Sequence, residues 1–88
     1  MSVRGEFTRS AGLLLDFLEE NHPASGELRK AIGEARDLAK ENISGGAEEI
    51  LALEAKGALR LAAPPSMSEE QEERISHLLA IARIILGK

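Results

Sequence analysis

Three clusters of helix-breaking residues divide this 88-residue chain: Asn21-His22-Pro23, Ser44-Gly45-Gly46 and Pro64-Pro65. Proline has a fixed φ and no N–H, and it disfavours helix in the residue before it. Glycine permits the left-handed turn that closes a helix. Between the clusters lie four segments whose apolar residues recur every three or four positions, the spacing of one helix face. This spacing predicts helices over about Phe7–Asn21, Gly26–Asn42, Ala47–Ala63 and Glu69–Leu86. Connections of about four or five residues make neighbouring helices antiparallel.

The apolar residues themselves point the same way. They are almost all Leu, Ala and Ile, with two Phe, one Val and neither Tyr nor Trp. Ala and Leu lead the helix-propensity scale, while β-branched and aromatic residues favour strands. No stretch alternates apolar and polar residues as a half-buried strand would. The expected fold is therefore all-α, a four-helix antiparallel bundle in one domain spanning residues 1–88. The halves also align. Shifted by 44, Phe7, Ala11 and Leu15 fall on Leu51, Ala55 and Leu59; shifted by 47, Leu28, Ala31 and Ile32 fall on Ile75, Leu78 and Leu79. The pattern is compatible with two tandem helical hairpins, although any two amphipathic hairpins align in this way.

Projection at 100° per residue orders the faces. The arcs of the four helices centre on Leu14, Leu18, Leu28, Ile32, Leu51, Ala58, Leu78 and Ile85, which are expected to be mostly buried. The third segment is apolar over most of its circumference, with only Glu49, Lys56 and Arg60 forming a clear polar strip. It is expected to be the most buried helix. Ser25 is the expected N-cap of the second helix. Ser68 and Gln71 have the spacing of a capping box at the start of the fourth. That helix begins with Glu69, Glu70, Glu72 and Glu73 and ends near Arg83 and Lys88, in keeping with its dipole.

Charge and composition narrow the partners. Eleven basic and 15 acidic residues give a net charge of −4, which argues against nucleic acid. The chain also lacks the aromatic residues on which bases stack. The absence of cysteine excludes disulfides and thiolate metal sites and fits a cytoplasmic protein. The Leu13-Leu14-Leu15 run is cut by Asp16, and no apolar run approaches the roughly 18 residues of a membrane span. No cofactor and no membrane association are expected.

Few residues carry chemistry. His77 falls at the edge of the polar face of the fourth helix, one turn after Glu73 and two after Glu70. Such a histidine is a candidate base or phosphoacceptor, although a histidine at a helix surface is the commoner case. His22 lies in a connection. Two distant histidines do not make a metal site, and Arg74 stands where a Glu-x-x-His step would need its carboxylate. Glu54-Ala55-Lys56-Gly57-Ala58 resembles the motif of histidine-phosphotransfer proteins, which are also helical bundles. Their histidine lies three residues before the Lys-Gly pair; here that position is Leu53, so the reactive group is missing.

Glu54 is the one charge that projects among apolar residues, between Ile50 and Leu61 on one side and Ala47 and Ala58 on the other. A lone buried carboxylate is costly, so a basic partner or a seam between two apolar stripes is expected. Arg29, Arg36 and Lys40 share one flank of the second helix, as a solvated face or a surface for an anionic partner. Ile81 and Ile84 lie on the His77 side of the fourth helix and exceed what its core stripe needs.

The leading expectation is a non-enzymatic interaction module with a protein partner, a homo-oligomer formed through helices 3 and 4. Its interface candidates are Leu53, Glu54, His77, Ile81 and Ile84. One alternative is an engineered or redesigned helical scaffold without native activity. Gly12 and Gly33, on polar mid-helix faces, speak against full idealisation. The other alternative is a small phosphotransfer or acid–base protein that uses His77 or Glu54.

Overall fold

A computed structural model of the chain describes residues 2–88. Its elements are four helices, α1 (Val3–Asn21), α2 (Gly26–Glu41), α3 (Ile43–Ala55) and α4 (Pro65–Leu86), with no strand among the described residues. Each helix packs on two others: α1 on α2 and α4, and α3 on α2 and α4. This closed ring is the all-α bundle expected from the periodicity. Phe7, Leu14, Leu18, Ile32, Ile50, Leu59, Ile75 and Leu78 fill its centre.

The first break is where proline predicts it. Helix α1 stops at Asn21, and residues 22–25 turn the chain into α2. Helix α1 starts earlier than its apolar arc, because the Ser2 hydroxyl accepts the Gly5 N–H at 3.0 Å and caps the first turn. Ser25 precedes α2 but makes no side-chain cap; its hydroxyl donates to the His22 carbonyl instead.

The second break is not where the glycines predict it. Ser44-Gly45-Gly46 forms the first turn of α3, and one residue, Asn42, separates α2 from α3. Asn42 serves both helices. Its N–H donates to the Leu38 carbonyl at 2.8 Å, and its Oδ1 accepts the Gly45 N–H at 2.9 Å. Gly46 lets α3 approach α2. A methyl group there would lie 2.6 Å from both the Ala35 carbonyl oxygen and the Ala39 side chain, far inside contact distance.

The third helix also ends eight residues before its expected stop, at Ala55 rather than Ala63. Gly57 adopts φ +72°, its N–H donates to the Glu54 carbonyl, and the Ala58 N–H donates to the Leu53 carbonyl. These two bonds and the left-handed glycine are a Schellman closure. The chain then runs through residues 56–64 without helix. Leu59 plugs the core from this connector, and half-buried Leu61 packs against it. The apolar girth expected of one long helix is therefore split between a short helix and a connector. Only Gly46, Ala47 and Ile50 of α3 are fully buried, so α3 is not the most buried helix. Ala58 sits half-exposed in the connector rather than in the core.

Helix α4 begins with Pro65 at its first position, where a missing N–H costs nothing. The Ser68–Gln71 capping box is not formed. Ser68 donates to the Pro65 carbonyl, and Gln71 turns inward. Of the expected core, Leu14, Leu18, Ile32 and Leu78 are fully buried, while Leu28, Leu51 and Ile85 are partly buried and pack against it. No helix among the described residues is long and apolar enough to cross a membrane.

Candidate functional site

The most distinctive surface lies between α1 and α4. Arg74 fastens the two helices there. Its Nη1 donates to the Leu13 carbonyl at 3.0 Å, its guanidinium bonds Glu70 at 2.8 Å, and its Cζ lies 5.7 Å from the Phe17 ring centroid. That last separation falls within cation–π range. Beside this clamp opens a cleft of about 550 Å³, lined by Arg9, Ser10 and Leu13 of α1 and by Glu70, Glu73 and His77 of α4.

Toward the N-terminus of α1 the same seam turns apolar. Val3 and Ile84 flank it, Ile81 forms its floor, and Ser2 and Glu6 edge it. Ile84 is 68% exposed and Val3 46%, whereas Ile81 is buried. A helix whose outer flank carries an isoleucine this exposed, beside an exposed valine, has apolar area that the bundle itself does not use.

Of the interface candidates, the structure brings His77, Ile81 and Ile84 together on this face. Leu53 and Glu54 lie apart, on α3. Leu53 is half-buried against the core, beside a shallow groove that it shares with Leu28, Ala31 and Leu61. Glu54 has the expected basic partner: its Oε1 accepts from Arg60 Nε at 3.1 Å, and its side chain is 25% exposed. Arg60 also pairs with Glu72 of α4. The hydrogen bond that Arg60 donates to Glu54, aided by the two carboxylate charges, raises the Arg60 pKa above its ordinary value, so Arg60 stays cationic. Glu54 Oε2 is buried with no hydrogen-bond partner among the described residues. Of the two expectations for Glu54 the basic partner is met, and through Arg60 it links α3 to the connector and to Glu72 of α4.

His77 is exposed and makes no side-chain hydrogen bond or ion pair among the described residues. It lies on the α1 flank of α4, while Glu54 reaches the other flank through Arg60. Among the described residues no three His, Asp, Glu or Cys side chains converge as a metal site would require. On α2, Arg36 and Lys40 both approach Asp37, at 3.9 and 3.7 Å, which makes a mixed-charge face. Arg29 turns back to Ser25 and the Pro23 carbonyl.

Two features of the site were missed in the sequence. Val3 lies outside the helix expected from Phe7, although Ser2 three residues before Gly5 is a readable N-cap signal. Leu13, which the sequence offers only as part of an apolar run cut by Asp16, is 39% exposed at the edge of the cleft. Comparison with known proteins finds no matching family model, no matching curated protein and no matching solved structure.

Proposed function

We propose that this chain is a non-enzymatic helical interaction module that pairs with a second copy of itself through the face between α1 and α4. The observation that carries the reading is the exposure of Ile84, at 68%, beside Val3 and above Ile81. Covering one such isoleucine recovers about 1.5–3 kcal/mol. A two-fold contact repeats that contribution in each copy.

The test is mass determination by sedimentation at micromolar concentration. The parent chain should sediment as a dimer, and Ile84→Glu should shift it toward monomer. A monomer mass for the parent at high concentration would overturn the proposal. A dimer indifferent to Ile84→Glu would reject this face.

A further inference from the structure

The connector between α3 and α4 is built from residues that favour helix. Ala58-Leu59-Arg60-Leu61-Ala62-Ala63 draws only on the top of the helix-propensity scale, yet none of it is helical. Past the turn at Gly57, the backbone N–H groups of Leu59 through Ala63 donate to no acceptor among the described residues. Leu59 is 1% exposed, so its N–H is left unpaired inside the protein, which costs folding free energy. In a continuation of α3 these five groups would bond the carbonyls four residues before them.

Tertiary ties hold the segment out of helix. Leu59 fills the core, Gln71 of α4 donates to the Leu61 carbonyl at 2.7 Å, and Arg60 bonds Glu54 and Glu72. Gly57 supplies the left-handed turn, at φ +72°. Two signals in the sequence stay unused in this arrangement. One is the apolar period that runs on from α3 to Ala63, and the other is the Ser68–Gln71 capping box.

We infer that residues 56–68 form a two-state device that switches between this connector and a helical continuation of α3. In the second state α3 runs through Ala62, residues 64–67 make the turn, and Ser68 caps an α4 that starts at Glu69. Gln71 is the latch. Its side chain either donates to the Leu61 carbonyl or accepts the Ser68 N–H, and it cannot do both from one position. The core changes with it. At 100° per residue, Leu59 on a continued α3 would point about 180° away from Ile50, whereas Leu61 would lie within about 20° of it. Leu61, now half-buried at the edge of the core, therefore takes the place of Leu59. Because one leucine must leave before the other enters, the two forms are discrete packings rather than a continuous range. The connector also has room to wind up. Its Ala58 and Leu61 face an open groove of about 580 Å³, shared with Leu28 and Ala31 of α2 and Leu53 of α3.

The test reads the ¹³Cα chemical shifts of residues 58–62, which report helix residue by residue. Gly57→Ala removes the residue suited to the left-handed turn and installs a better helix former. It should raise the ratio of helical to connector form about tenfold or more. Gln71→Glu should act in the same direction, since a carboxylate cannot donate to the Leu61 carbonyl but can accept the Ser68 N–H. Adding Leu61→Ala to Gly57→Ala should reverse the change. The expected result is a movement of the 58–62 shifts toward helical values in the two single variants and a return in the double variant. Shifts that stay at the connector values in both single variants, or move to random-coil values, would overturn the proposal. If neither single variant folds, relaxation dispersion on the parent chain decides. Helical shift differences at 58–62 would support the second state, and a flat profile would overturn it. None of these outcomes bears on the pairing proposed above, because Ile84 lies near the other end of α4.

Discussion

The Nε2 of His22 lies 2.8 Å from the Oε1 of Gln71, and the Nε2 of the same glutamine donates to the Leu61 carbonyl at 2.7 Å. A carbonyl oxygen can only accept, so the Gln71 nitrogen faces Leu61 and its oxygen faces His22. His22 therefore carries a proton on Nε2. One buried side chain thus ties the end of α1, the 56–64 connector and α4 together. Removing it in Gln71→Ala leaves two polar groups without partners. The expected loss is about 1–3 kcal/mol in urea unfolding, and an unchanged midpoint would mean that the connector is held by Leu59 and Leu61 alone.

Four glycines should respond differently to alanine. Gly12 and Gly33 lie mid-helix with nothing within 4 Å of an added methyl group, so alanine at either should stabilise by about 0.5–1 kcal/mol. Gly46→Ala should destabilise, because the methyl group meets a backbone oxygen at 2.6 Å. Gly57→Ala should cost on the order of 1 kcal/mol, since its φ is +72°. Thermal melts of the four variants give the ranking, and a neutral Gly46→Ala would contradict the close approach of α3 to α2.

Core truncations should be severe. Leu14 and Leu78 are 1% and 0% exposed, and Leu14→Ala or Leu78→Ala should lower stability by roughly 2–5 kcal/mol. Equilibrium denaturation of each variant provides the measurement.

The Arg60 pairs should matter little. Arg60 is 42% exposed at its side chain and bonds Glu54 and Glu72 near the surface. Arg60→Ala should cost no more than about 1 kcal/mol, with the difference shrinking in high salt. A larger, salt-independent loss would show that the unpartnered Glu54 Oε2 depends on Arg60 for its burial.

Ile84→Glu should leave the fold intact. An isoleucine this exposed contributes within about 0.5 kcal/mol to the stability of a single chain. At a dilution where the parent is monomeric, the two melting curves should coincide. This separates the effect of the substitution on association from any effect on folding.

The sequence by itself determined the helical class, the first break at Pro23 and the inner faces of α1, α2 and α4. Those follow from local rules: proline geometry, propensity, and apolar residues spaced for one face of a helix. It also indicated that Glu54 needs a cation and that Ile84 falls outside the core stripe. Tertiary structure decided the second half of the fold. Ser44-Gly45-Gly46 can end a helix or begin one. Asn42 capping the Gly45 N–H and Gly46 fitting against Ala35 and Ala39 make it a beginning. Lys56-Gly57 lies inside a continuing apolar pattern, so the periodicity alone reads as one helix from Ala47 to Ala63. The chain turns there because Leu59 fills the core from the connector, which Gln71 of α4 holds at the Leu61 carbonyl and whose Arg60 bonds back to Glu54. Periodicity reports which residues can be buried together on one helix. It does not report which of them a neighbouring helix leaves room for, and that packing placed Leu13 at the surface and Leu59 at the centre.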